Sequence, residues 1–265
     1  MIHLAKICSF LFITLLLVSC GQNEISESTE VNPAALDFNL ANSDAKAISI
    51  ADEVMIAMGG RAAWDNTRYV CWKFFGRDAL IWDKFDNRVR IDWAYGVTGM
   101  ADINTGKGQF YANGVAFTAP DTVAYYEKRA VGTWINHSYW LVMPFKLKDS
   151  GVTLKYLGTD TTQLGDMADK LLLTFEEVGV TPNNKYEIWV DEYSRLVTQW
   201  AHYSKVEDEA PRFVMPWQEY KKHGDILLSS SRGTRGMEDI MVFDELPESV
   251  FTSPEKPILN ATRSE

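Results

Sequence analysis

The chain has 265 residues, a formal charge of −10 and a sequence pI near 5.0. That balance argues against nucleic-acid binding, which needs clustered Lys and Arg, and against a polybasic grip on anionic lipid. With 9 Trp, 11 Tyr and 13 Phe, a large aromatic surface has to be buried in a core, a pocket or an interface.

Lys6 gives the start a positive charge, and Ile7 to Val18 is apolar apart from Cys8, Ser9 and Thr14. A helix needs ~20 residues to cross about 30 Å of hydrocarbon, so this run is too short to span and has the length of a signal-peptide core. Leu17-Val18-Ser19-Cys20-Gly21 follows it and resembles the bacterial lipobox. The expected course is export, cleavage after Ser19 and lipidation of Cys20, which ties the mature chain to a membrane. Gly21 is not the Asp that would suggest inner-membrane retention, so the outer membrane is favoured; periplasmic or surface orientation stays open. Cys71 would then be the remaining thiol, with no disulfide partner, and its apolar strand predicts a buried, inert group.

Residues 20–42 are polar, with Glu24, Glu27, Glu30 and Pro33, and read as a flexible tether. Residues 43–265 read as one domain. Ser43 or Asp44 is set to cap a helix in which Ala47, Ala51, Val54, Met55 and Met58 recur at helical spacing. Gly59-Gly60 ends it, and a short turn from Ala62 to Trp64 follows.

Strands dominate from Tyr69 onward. In Tyr69 to Arg77, Val70, Trp72 and Phe74 share a face. In Arg88 to Trp93, Val89, Ile91 and Trp93 alternate with Arg88, Arg90 and Asp92. Met100 to Asn104, Gln109 to Tyr111 and Val115 to Phe117 are short strands joined by Thr105-Gly106 and Asn113-Gly114 turns. Pro120-Asp121 opens a helix expected to run to about Leu141, with Ala130, Trp134, Ile135, His137 or Ser138, and Leu141 near one stripe; Pro144 stops it. Further strands are expected at 152–157, 169–177, 185–191, 196–205, 212–220, 225–230 and 237–244. In the second of these, Leu171, Leu173 and Phe175 share a face. Short turns between successive strands mean an antiparallel meander.

That order, with several local motifs, resembles the LolA/LolB lipoprotein carriers. The opening helix ends at Met58-Gly59-Gly60. Glu187-Ile188-Trp189-Val190-Asp191 turns through Glu192-Tyr193-Ser194 into Arg195-Leu196-Val197. Tyr220, His223-Gly224 and Ile226-Leu227 look like the segment before the carriers' last strands, and Leu246-Pro247-Glu248-Ser249-Val250-Phe251 looks like their C-terminal ending. Ser138-Tyr139-Trp140-Leu141-Val142-Met143-Pro144-Phe145-Lys146-Leu147 resembles a narrower family of Bacteroidota lipoproteins of unassigned function. The resemblance covers roughly Ala45 to Pro254. It implies a mainly β (α+β) fold: a strongly curved, unclosed antiparallel half-barrel with helices on its concave side. No exposed apolar loop of the LolB kind can be assigned.

Catalytic patterns are sparse. His137, His202 and His223 are too far apart for HxxxH or HxH spacing, and there is no CxxC, so no metal and no cofactor are expected. There is no G-x-S-x-G elbow. His137 reads as a buried, hydrogen-bonded histidine, and Arg232 and Arg235 as a solvated basic loop, with an anionic headgroup the alternative. The expected function is therefore binding without catalysis. An acyl chain, lipid or lipoprotein lipid moiety would sit in a cavity walled by Trp72, Phe74, Trp82, Val89, Ile91, Trp93, Leu171, Leu173 and Phe175, with Trp134 and Trp140 on the covering helix. Each of these side chains is alternatively plain core. The competing readings are a glycan- or protein-interaction module using exposed Trp, and an enzyme with a histidine beside an acid. A monomer is expected.

Overall fold

The computed structural model of the chain describes residues 31–176 and 183–259. The signal, Cys20 and the first part of the expected tether lie outside the described residues, as does Glu177 at the end of one expected strand. Strands make up 40% of the described residues and helices 24%, so the fold is mainly β with a substantial helical part.

Three α-helices form. α1 (Ala45–Ala57) buries Ala47, Ile50, Ala51, Val54 and Met55, the stripe set by its apolar spacing. It ends at Gly59, whose φ is +113°. A Cβ there would stand 2.2 Å from the Asp225 carbonyl oxygen, so close approach of the chain requires glycine. α2 (Arg61–Asn66) is one short turn that buries Trp64. α3 (Pro120–Val142) begins with Pro at its first position and Asp121 in its first turn, both favourable at a helix N-terminus. A 3-10 turn containing Pro144 follows it.

The strands are β1 (Tyr69–Phe74), β2 (Asp78–Asp83), β3 (Arg88–Trp93), β4 (Val97–Asp102), β5 (Gly108–Ala112), β6 (Val115–Ala116), β7 (Val152–Thr161), β8 (Met167–Phe175), β9 (Lys185–Asp191), β10 (Val197–Tyr203), β11 (Phe213–Pro216), β12 (Gln218–His223), β13 (Ile226–Arg232) and β14 (Arg235–Phe243). They pair antiparallel in two sheets, ordered β12-β13-β14-β1-β2-β3-β4-β5-β6 and β11-β10-β9-β8-β7. The sheets are curved and unclosed, with helices, as a half-barrel requires. Where a single strand was expected over 212–220, the chain changes sheets at Trp217. Its amide still donates to Thr198 O on β10 (2.7 Å), while the next residue, Gln218, is paired with Ser231 on β13. One continuous stretch therefore edges both sheets and joins them.

Alternation sorts side chains to the two faces. Val70, Trp72, Leu80, Trp82, Val89, Ile91 and Trp93 point into the main core with the α1 and α3 residues. The opposite face of β1 to β3 is covered too, by the C-terminal segment. Tyr69, Cys71 and Ile81 pack there with Phe243, Val250 and Phe251. Arg90 is 1% exposed and clamps that segment, donating to Val250 O (3.2 Å), Ser253 O (2.7 Å) and Glu255 O (2.9 Å). So Arg90, on the polar side of the alternation, faces a covered surface instead of water.

The tether boundary at residue 42 is too late. Phe38 is 7% exposed within the main core. The Ala35 and Asn39 amides donate to Lys148 O and Val152 O (2.9 and 3.0 Å), and Lys148 Nζ reaches both Asn32 O (2.6 Å) and Asp52 (2.8 Å). The apolar area of one aromatic ring and these hydrogen bonds order a segment whose composition is polar. The compact unit accordingly starts at Val31.

Candidate functional site

The expected wall residues do come together on the concave side, but not as one class. Trp72, Trp82, Val89, Ile91, Trp93, Leu171 and Leu173 are buried in the main core, so they pack against protein. Phe74, Trp134, Trp140 and Phe175 are half-buried at the edge of that core. The surface left for a ligand is this second set and its neighbours. A small cleft of about 110 Å³ lies elsewhere, between Ala63, Asn66 and Thr67 and the 242–244 stretch, and involves none of the wall residues.

α3 carries the contacts. Its Trp134 ring meets Trp82 edge-on at 5.3 Å. One to two turns further on, Trp140 stands edge-on to Trp200 of β10 (4.6 Å) and to Phe75 (5.1 Å), and stacks with Phe213 of β11 (5.5 Å). Tyr139, on the same helix, meets Phe175 and Tyr186 at 6.3 and 5.4 Å. Tyr186 lies parallel to Trp200, and Phe213 stacks on His202. The result is an aromatic face between the C-terminal half of α3 and β8 to β11, half-open at Phe75, Trp140, Tyr186 and Phe213. Trp200, Phe213 and Tyr186 were not among the expected wall residues. Their strands show apolar positions, but pairing with α3 across the fold has no signal in local spacing.

Several buried polar groups here lack a partner. The indole N–H groups of Trp72, Trp82, Trp134, Trp200 and Trp217 have no hydrogen-bond acceptor, and His202 Nδ1 and Thr198 Oγ1 have no partner either. Indole nitrogen can only donate, so the indoles cannot satisfy one another. Leaving one unpaired costs about 1–3 kcal/mol.

His137 is half-buried and hydrogen-bonded, while the neighbouring Ser138 is the one of the two that α3 buries. Nε2 faces Asp78 Oδ2 at 3.2 Å, Nδ1 faces Asn136 Oδ1 at 3.2 Å, and the ring stacks on Phe74 at 3.8 Å. Burial draws its pKa below the usual histidine value, against the pull of Asp78 in the other direction. Its two polar partners are a carboxylate and an amide. The adjacent Ser138 hydroxyl turns back to Ile135 O (3.4 Å). Among the described residues no group of three or more His, Cys, Asp or Glu could hold a metal ion, and no helix is long and apolar enough to cross a membrane. Cys71 is buried as expected, and burial pushes its thiol up to about 12.

The basic loop departs from expectation. Arg232 is 2% exposed, not solvated. It lies over the Trp217 ring, 3.4 Å from the centroid, and donates to Trp140 O at the end of α3 (2.6 Å). Arg235 stays exposed and lies above Phe75.

No family model matches this chain, and no curated protein matches it. Among solved structures it is similar to a DUF1329 family protein from Desulfovibrio piger, at 11% identity and a TM-score of 0.40, over 77% of this chain and 96% of that one. A likeness that slight carries no functional argument.

Proposed function

We propose that the chain is a lipid-anchored protein of the cell envelope that holds an acyl chain, from a lipid or a lipoprotein, on the aromatic face between α3 and β8 to β11. It binds and does not catalyse, and its place is in envelope lipid or lipoprotein traffic, at the outer membrane. The observation that carries this reading is the half-open set Phe75, Trp140, Tyr186 and Phe213: apolar surface that the helices leave partly uncovered on the concave side. An acyl chain burying about ten methylenes there gains roughly 8 kcal/mol gross at about 0.8 kcal/mol each, before ordering and association costs. Micromolar affinity corresponds to about 8 kcal/mol net, so further contacts with the aromatic rings have to offset those costs. The anchor in the reading is Cys20, on the strength of the lipobox order in the sequence.

The enzyme alternative draws on one observation, the His137–Asp78 pair, which sits beside Phe74 at the rim of the same face. With Asp78 orienting the ring, His137 would act as a general base on water, so that reading predicts a hydrolysis abolished by His137→Ala.

Two measurements on protein purified from its own membrane test the proposal. Metabolic labelling with a clickable fatty acid is expected to mark the wild type and not Cys20→Ala. Native mass spectrometry is expected to show a monomer carrying a further non-covalent lipid. Label that survives Cys20→Ala removes the anchor, and a chain free of co-purified lipid that also binds no added fatty acid removes the acyl site.

A further inference from the structure

Arg232 is the most deeply buried cation on the concave side, and its partners are all neutral. Nη1 donates to Ser229 Oγ (2.8 Å) and Ser231 O (2.6 Å), and Nη2 to Trp140 O (2.6 Å). Nε has no acceptor. Among the described residues no Asp or Glu lies within ion-pair distance of it, although other buried or half-buried arginines, Arg68, Arg88, Arg90 and Arg195, each have one. Trp140 O belongs to the last turn of α3, whose dipole places partial negative charge there and offsets part of the guanidinium charge. The rest is uncompensated: burial without a counter-charge pulls this arginine down to about 9. A buried charge is ordinarily paired.

The surroundings repeat the pattern. From Arg232 the contacts run to Trp217, on to Trp200 at 5.3 Å, and from there to Trp140 and Phe213 on the half-open face. Along that run the indole donors Trp217 Nε1 and Trp200 Nε1 lack acceptors too. Donors and one full cation are thus gathered beneath an apolar, partly open surface, in a molecule whose net charge of −10 otherwise repels anions.

We infer that the ligand of this face is an anionic amphiphile, with a carboxylate or phosphate head paired to Arg232 and an alkyl chain lying against Trp140 and Phe213. The inference rests on the acyl-binding reading and specifies its ligand class. Guanidinium pairs with a carboxylate or phosphate through charge-assisted hydrogen bonds, and a buried pair of this kind is weakly screened by salt.

The test uses the chain from residue 20 with Cys20→Ala, to keep it free of its own acyl groups, and follows intrinsic Trp fluorescence. The probes are dodecanoate, dodecyl phosphate, methyl dodecanoate and acetate. Dodecanoate and dodecyl phosphate are expected to bind about tenfold more tightly than the methyl ester, in low and high salt alike. Arg232→Met should erase that preference while ester binding persists, and Arg232→Lys should keep most of it. A thermal melt accompanies each variant; where Arg232→Met does not fold, the wild-type comparison and Arg232→Lys decide. Equal binding of acid and ester by the wild type overturns the inference and leaves the acyl site standing. A preference that survives Arg232→Met overturns it as well. Acetate binding as tightly as dodecanoate makes this a small-anion site and overturns the amphiphile. If no probe with a dodecyl chain binds, the acyl-binding reading falls, and this inference with it.

Discussion

Individual side chains show how burial sets chemistry in this fold. Cys71 is held in the thiol form because its thiolate would have to form inside an apolar layer. Histidines give a testable consequence. Burial holds His137, His202 and His223 below the ordinary histidine pKa. As pH falls below about 6.5 the unfolded chain takes up these protons before the folded chain does. The stability they contribute is complete above that value and is lost as pH drops from there through the folded values. The urea midpoint is expected to be lower at pH ~5.5 than at ~7.5; an equal or higher acid midpoint contradicts the burial of these rings. Legibility at this scale followed the reach of each residue's partners. Cys71 was readable as buried because its own strand is apolar, and His137 was readable only as partly buried on α3. Arg232 was not: it sits in a Ser-Arg-Gly turn that looks solvated, and its partners Trp217 and Trp140 are brought to it only by the tertiary fold.

Among the elements, β3 was the clearest in sequence, since strict alternation of Val89, Ile91 and Trp93 with charged residues leaves one reading. β2 was missed as a strand. Leu80 and Trp82 face the core, but Ile81 between them is buried on the other side beneath the C-terminal segment, so Asp78 to Asp83 reads as an undivided apolar run. β11 and β12 read as one strand because the chain stays extended through Trp217; only hydrogen-bond partners reveal the change of sheet. The segment at 31–42 was misjudged on its polar composition. Its docking predicts that Phe38→Ala destabilises the domain by about 3–5 kcal/mol, as for other buried rings. Chemical denaturation measures this directly, and a change near zero would restore residues 31–42 to the tether.

At the scale of the whole molecule, two unclosed sheets joined at Trp217 make a curved surface whose concave side α1 and α3 fill. Most of the expected cavity wall is thereby core. The aromatic face at the end of α3 is what stays partly open, and it supplies the surface on which the binding proposal stands. Its general apolar character was legible in the spacing of Trp72, Phe74, Leu171, Leu173 and Phe175. Its location was not, because it depends on where a 23-residue helix lies across strands from both sheets.

The most direct measurement of the central claim is a titration with a fatty acid that carries a doxyl quencher on its chain. The account predicts saturable quenching of Trp fluorescence at one ligand per chain. It also predicts that Phe213→Glu, a change at a half-buried position on the short strand β11, abolishes the quenching while the thermal melt remains cooperative. Quenching that never saturates, or that is unchanged in Phe213→Glu, would contradict an acyl site between α3 and β11.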